Sequence, residues 1–202
     1  MARPLKSERS SPYETRDKIL DVAEIIIAKK GFHGATTREI AGTANINKNL
    51  IFYYYKNKDG LNFAVMERLF TPIFYRITQS MVELQPLTKV IDIIIDSYFE
   101  VIKEKQLIFS KLVAREQVNE GKYIYQFPLG KMSTAIPLWR DTLNSDKSSA
   151  LDMFKYSMIV GAIVFPFMSM PILEKLVTST DETMPSIDEL RYEIRSFIMK
   201  GI

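Results

Sequence analysis

From Ile19 onward, apolar residues recur every three or four positions: Ile19, Val22, Ala23, Ile26 and Ile27 lie on one face of a helix. The ends of that helix are marked as well. Ser11-Pro12-Tyr13-Glu14 supplies an N-cap Ser, Pro at the first helical position and Glu three residues after the cap, and Lys29, Lys30 and Gly31 close it. Thr36-Thr37-Arg38-Glu39 reads as a second capping box, in which Thr36 accepts from the backbone and Glu39 reaches back. It opens a short helix with Ile40, Ala41 and Ala44 on its apolar face. Asn45 stops this helix, because Asn tolerates a left-handed turn, and Asn47 caps a third helix through Leu50, Ile51 and Tyr54. Two short helices joined by a turn of three to four residues form a helix-turn-helix unit. Asn57 caps the fourth helix.

Beyond Lys58 the helices lengthen. One of about 20 residues is predicted through Leu61, Ala64, Val65, Leu69, Ile73 and Ile77, with a bend at Pro72. Further helices are predicted at 88–104, 106–119, 128–144 and 149–165, and a last one from Ser186, whose Glu189 completes another capping box. No strand and no repeat is visible. Pro86, Gly121, Gly130, Pro137, Pro166, Pro171 and Pro185 mark the bends. The expectation is an all-α chain: a three-helix module at 1–57 joined to a larger helical body at 58–202. Tyr156 to Leu173 is 18 residues without a charge, the lower limit for a membrane span. Pro166 and Pro171 interrupt it, so a buried helix with a Pro-broken end and a turn is the expected reading, with no membrane partner.

Charge changes the picture more than composition does. The chain has 202 residues and a formal charge of +3, with 47% hydrophobic and 25% charged residues, which is ordinary for a folded globular protein. Residues 1–60 hold 11 Lys and Arg against 7 Asp and Glu, while residues 61–202 hold 16 against 17. All the excess positive charge therefore sits on the N-terminal module, which suggests contact with something anionic. The leading segment MARPLKSERSSPYETR is basic with no apolar segment after it, and reads as a short arm; a cytoplasmic location is expected. With no Cys and one His, Cys-based zinc sites, thiol nucleophiles and zincin motifs are excluded, and no metal or cofactor is expected.

The segment GFHGATTREIAGTANINKNLIFYYYKNKDGL at residues 31–61 resembles the DNA-binding domain of the TetR family of bacterial transcription regulators. The resemblance rests on Gly31-Phe32, Thr36-Thr37, Ile40-Ala41, Asn47-Lys48, the run Leu50 to Tyr55, and Lys58-Asp59-Gly60-Leu61, about 50 residues in all. A major groove about 12 Å wide admits one helix, whose first residues face base edges. Asn47, Lys48 and Asn49 stand where such contacts start. Lys48 can reach guanine or phosphate, Asn47 and Asn49 can cap or read adenine, and Leu50 can meet a thymine methyl. Phe52, Tyr53 and Tyr54 follow; the tyrosines can lay a ring against sugar and give a hydroxyl to phosphate, while Phe52 can offer only the apolar part. The family usually carries Tyr at the Phe52 position and often His at the Tyr54 position, so the operator preference of relatives does not transfer. Thr36 or Thr37 suits a phosphate clamp, Arg38 adds charge, and the resemblance makes Lys58 a phosphate contact. Tyr55 and Ile51 read as core of the module.

The resemblance further implies a homodimer on a palindromic double-stranded operator, a small and largely apolar effector, and repression. The dimer candidates are the helices at 149–165 and 186–200, with Met158, Ile159, Gly161, Ala162, Val164, Phe165, Leu190, Ile194 and Phe197. Ordinary core is the competing role for each. Phe70, Phe74, Tyr98, Phe109, Phe127 and Trp139 could line an effector cavity or simply fill the core. Arg115 and Glu116 are the candidate polar anchors, with a surface ion pair as the alternative. His33 reads as a surface or phosphate-adjacent residue. A helical adaptor for a protein partner and an all-helical enzyme are the remaining alternatives. The adaptor gives no reason for Asn47-Lys48-Asn49 followed by aromatics, and the enzyme has no catalytic constellation; the Asp92 to Asp96 spacing reads as a solvated edge.

Overall fold

The computed structural model describes residues 11–83, 85–126, 149–180 and 182–200, and every regular element among them is a helix. In chain order these are α1 (Pro12–Gly34), α2 (Thr37–Thr43), α3 (Lys48–Tyr55), α4 (Lys58–Val82), α5 (Leu87–Val118), α6 (Lys122–Gln126), α7 (Ser149–Thr178) and α8 (Ile187–Lys200). The helix expected at 128–144, with Phe127 and Trp139, lies outside the described residues. The chain forms two compact units, Met1–Met66 and Glu67–Ile202. That division falls inside α4 rather than at its start at residue 58. The first turn of α4 is tied to the N-terminal unit by Lys58, whose ammonium donates to the His33 carbonyl at 2.9 Å.

Local capping sets the N-terminal unit. The Ser11 hydroxyl accepts the Glu14 amide at 3.1 Å and the Glu14 carboxylate accepts the Ser11 amide at 2.7 Å, the reciprocal box the sequence implies. Gly31 takes φ 77°, a left-handed value that ends the regular part of α1. At α2 only half of the expected box forms. Thr36 Oγ1 accepts the Glu39 amide at 3.1 Å, but the Glu39 carboxylate pairs with Lys30 of α1 at 2.7 Å. A full opposite charge one helix away outcompetes a neutral backbone amide. Ile19, Ala23 and Ile27 of α1 are fully buried, as are Ile51 of α3 and Leu61 and Val65 of α4. α2 packs against both α1 and α3.

In the C-terminal unit α5 packs against α6, α7 and α8. α5 is two helical stretches that meet at a kink at Lys105, φ −131°, ψ 32°, where the expected helices at 88–104 and 106–119 divide. α7 corrects the expectation of a Pro-broken end, since it runs through Pro166 and Pro171 to Thr178. Each proline deletes one intrahelical donor, but the buried face made by Ile163, Phe167 and Met170 continues across Pro166, and the Phe167 ring meets Phe99 of α5 edge-on at 5.5 Å; beyond Pro171 the helix is mostly exposed. Within α7, Phe154–Thr178 is long and apolar enough to cross a membrane by length and composition, and 22% of its most apolar window is buried in the chain. α7 also packs on both α5 and α8.

Asp92 and Asp96 are not a solvated edge. Arg195 of α8 holds Asp92 through two hydrogen bonds of 2.6 and 3.1 Å, and Arg191 holds Asp96, with Nε at 2.9 Å from Oδ1. Lys103 pairs with Asp188 at 2.6 Å, and the Lys103 ammonium holds that carboxyl below its ordinary pKa. The spacing of one helical turn on α5 thus matches the spacing of one turn on α8.

Tyr98 and Tyr156 form a buried pair between α5 and α7. Burial pushes the Tyr156 hydroxyl up to about 12, against a lowering from its hydrogen bond with Tyr98. Burial also raises Tyr98 well above its ordinary value, helped by the charge Tyr156 would carry and by their hydrogen bond. Both folded pKa values lie above the unfolded value of about 10, so each neutral hydroxyl stabilises the fold fully below about pH 10; the Tyr156 share is lost as pH rises through about 12 and the Tyr98 share as pH rises through its own raised value. An ultraviolet titration of the native protein should show Tyr156 ionising only near pH 12 and Tyr98 well above the ordinary tyrosine range, together with unfolding. Tyr156→Phe should remove one of them.

Candidate nucleic-acid interface

The turn between α2 and α3 forms because Asn45 accepts a left-handed conformation, φ 50°. The Ile46 amide then donates to the Ala41 carbonyl at 3.0 Å. Asn47 Oδ1 accepts the Asn49 amide at 2.9 Å and starts α3. The faces of α3 then separate cleanly. Ile51 and Tyr55 are buried, Leu50 and Tyr54 are half-buried, and Lys48, Asn49, Phe52 and Tyr53 are exposed. Those four positions follow the i, i+1, i+4, i+5 spacing of a single helix face. Tyr53 is 78% exposed and meets Tyr54 edge-on at 5.0 Å, while the Lys48 ammonium lies 5.4 Å from the centre of the Phe52 ring.

The flanking candidates lie at the helix starts beside this face. Thr36 is exposed at the N-cap of α2, followed by half-buried Thr37 and exposed Arg38. Because the Thr36 oxygen accepts at the cap, its hydroxyl proton remains a donor. Lys58 is half-buried, and its ammonium holds the His33 carbonyl in the turn after α1. His33 itself is exposed.

Two features of this unit are not visible in the motif. Tyr55 donates its hydroxyl to the Arg16 carbonyl at 2.9 Å, 39 residues away in the chain. Between α3 and α4, Lys56 takes φ 66°, ψ −51°, and the Asn57 amide donates to the Tyr55 carbonyl at 2.8 Å. This is a γ-turn with positive φ at a residue bearing a side chain, a strained conformation. Asn57 Oδ1 then accepts the Gly60 amide at 2.7 Å. A Cβ on Gly60 would lie 2.1 Å from the Tyr55 carbonyl oxygen, so α4 can start where it does only with glycine there.

In the C-terminal unit the aromatic candidates Phe70, Phe74, Tyr98 and Phe109 come together. Phe70 lies 5.9 Å from both Phe74 and Phe109, and Tyr98 meets Phe109 edge-on at 6.2 Å. Arg115 and Glu116 separate: Arg115 is exposed, whereas Glu116 is buried and its Oε1 accepts the amides of Tyr123 and Ile124, the latter at 2.8 Å. Glu116 therefore caps the start of α6 and is no surface ion pair; its Oε2 is buried without a hydrogen-bond partner. The candidates on α7 and α8 also separate. Met158, Gly161, Phe165 and Phe197 are exposed, Ala162 and Leu190 half-buried, and Ile159, Val164 and Ile194 buried in the chain's own core. Apolar residues around most of α7 leave one face for the core and another uncovered. No cluster of metal-binding side chains occurs among the described residues.

The family model for bacterial regulatory proteins of the tetR family matches residues 19–65, the helices that build this interface. Residues 19–65 are thus similar to the DNA-binding domain of the TetR family. Over 54 residues the chain is 43% identical to YvkB, an uncharacterised HTH-type transcriptional regulator of Bacillus subtilis, covering 27% of this chain and 29% of that one. It is 36% identical over 56 residues to the HTH-type transcriptional repressor NicS of Pseudomonas putida, covering 28% and 26%. The chain thus spans less than a third of the length of these curated relatives. The fold is similar over nearly its whole length to the transcriptional regulator FadR from Bacillus subtilis, solved in complex with stearoyl-CoA: TM-score 0.68, 15% identity, with 92% and 98% of the two chains covered.

The α3–α4 turn makes two opposite forecasts. Gly60→Ala should destabilise the protein by about 1–3 kcal/mol, since the turn must open to admit the methyl. Lys56→Gly should stabilise it by about 1 kcal/mol by releasing the positive-φ strain. Chemical denaturation of the two variants checks both.

Proposed function

We propose that this chain is a cytoplasmic, dimeric transcription regulator of the TetR kind that lays α3 in the major groove of a palindromic operator and represses until a small apolar effector binds its body. The observation that carries this reading is the single solvent face of α3, with Lys48, Asn49, Phe52 and Tyr53 on a helix anchored by Ile51 and Tyr55. Asn47 commits its oxygen to the cap, so Asn49 is the residue with both amide atoms available for bidentate pairing to adenine. Lys48 reaches guanine, Leu50 a thymine methyl, and Tyr53 and Tyr54 the sugar-phosphate backbone. Thr36, Thr37, Arg38 and Lys58 hold phosphates on either side.

One such helix reads only a few base pairs, so a two-fold dimer supplies the second half-site about 34 Å away. The uncovered apolar side chains of α7 and α8, Met158, Phe165 and Phe197 among them, support a second copy of the chain as their cover. The aromatic group Phe70, Phe74, Tyr98 and Phe109 is the proposed effector region, with Glu116 as its polar anchor; a fatty acyl-CoA seen with the similarly folded FadR supports an apolar ligand. α4 carries Lys58 at one end and Phe70 and Phe74 further along, so an effector that favours a different spacing of the two recognition helices weakens DNA binding by linkage.

Duplex binding should weaken steeply with salt. Lys58→Ala should lower affinity for all sequences alike and reduce the salt slope by about 1, with some loss of stability from the freed His33 carbonyl; Lys48→Ala should in addition relax preference at one base pair. Equal effects of the two variants on sequence preference would contradict this division of roles. Met158→Glu with Phe165→Glu should give a monomer by analytical ultracentrifugation, its helical spectrum unchanged, that no longer distinguishes a palindrome from a half-site. Operator affinity unchanged by any saturating ligand would contradict the effector half of the proposal.

A further inference from the structure

Lys48 occupies an electrostatically awkward place. It is the first residue of α3, at the positive end of the helix dipole, and the first turn contains no acidic residue. A long, solvated Lys side chain at such a site would ordinarily sample many rotamers and lose that freedom on meeting a base. Here its ammonium lies over the Phe52 ring, 5.4 Å from the centroid, within the range in which the negative face of an aromatic ring attracts a cation. The two residues are four apart, and a helical side chain leans toward the N-terminus, so the ring of Phe52 covers the turn that carries Lys48. Phe52 is 41% exposed, which leaves its ring available to the ammonium.

We propose that Phe52 is a positioning residue that sets the sequence preference of Lys48, holding the ammonium over its ring on the groove-facing side of α3. This rests on the reading of α3 as the groove-reading helix. The ring orients the cation in the free protein, so that less side-chain freedom is lost when Lys48 meets guanine O6 and N7. A phenyl ring does this without a hydroxyl, so its part in recognition is to aim a neighbour. The effect falls on one base pair only. Phosphate contacts and total charge are untouched when the ring is removed, which separates aiming from general affinity.

The test is selection from a pool of random duplexes by the full-length protein, followed by sequencing and salt titration on the selected site. Wild type, Lys48→Ala, Phe52→Leu, Phe52→Tyr and the Lys48→Ala/Phe52→Leu pair are compared. Phe52→Leu should lose about two- to five-fold of the preference at the base pair that Lys48→Ala affects, the factor expected of an exposed cation-ring contact. It should keep the wild-type salt slope, since the charge remains. Phe52→Tyr should retain the preference, because the ring does, and the paired variant should be no worse at that base pair than Lys48→Ala alone. A wild-type preference surviving in Phe52→Leu, or an equal loss at every base pair, overturns the inference and leaves the DNA reading standing. Wild-type protein that enriches no sequence overturns the DNA reading and this inference with it. Melting curves guard against misfolding, with Phe52→Tyr as the variant that keeps the packing.

Discussion

Tyr55 is held at both ends, and the geometry of α3 follows from that. Its hydroxyl donates to the Arg16 carbonyl of α1, its ring is 6% exposed, and its own carbonyl accepts the Asn57 amide while occupying the space that a side chain on Gly60 would need. A helix of eight residues has little stability alone. Fixed through Tyr55 and Ile51, α3 cannot roll, so the opposite face stays turned to solvent. The polar and aromatic side chains on that face need no mutual hydrogen bonds to be presented together.

The C-terminal unit is held differently. Its interior is apolar and aromatic, with the contact of Phe99 and Phe167 joining α5 to α7, but several of its ties are polar. Two tyrosine hydroxyls share a buried site, and the Glu116 carboxylate caps α6 from within α5. Buried polar groups stabilise only when paired and cost a desolvation penalty otherwise. A body containing them is therefore more sensitive to displacement than a purely apolar core.

The helix starts were legible because their chemistry is local: Ser11, Thr36, Asn47, Asn57 and Ser186 each accept an amide two or three residues ahead. The exposed residues of α3 were legible for the same reason, through spacing and a recognisable motif. What escaped depended on partners distant in the chain. Glu39 turned to Lys30, and Asp92 and Asp96 found arginines 103 and 95 residues away. Pro166 suggested an end that burial of Phe167 and Met170 overrode. Lys56 carries no signal at all, since positive φ at a lysine is imposed by the tight path between Tyr55 and Gly60.

The arginine and aspartate pairs joining α5 to α8 have a geometric property beyond their attraction. Asp92 and Asp96 are one turn apart, Arg191 and Arg195 likewise, and the helices pair them in opposite chain directions. Sliding α8 by one turn would bring Arg195 to Asp96 and Arg191 to Glu100, the next acidic residue of that spacing on α5, and leave Asp92 without its arginine, while any smaller slide would align neither pair. The axial position of α8 is thus quantised: it behaves as a detent with one deep notch and a shallower one about 5.4 Å away. Tyr192 and Phe197, which α8 carries on its outer side, are indexed to the same notch, so whatever surface they form is either in register or a full turn out of it.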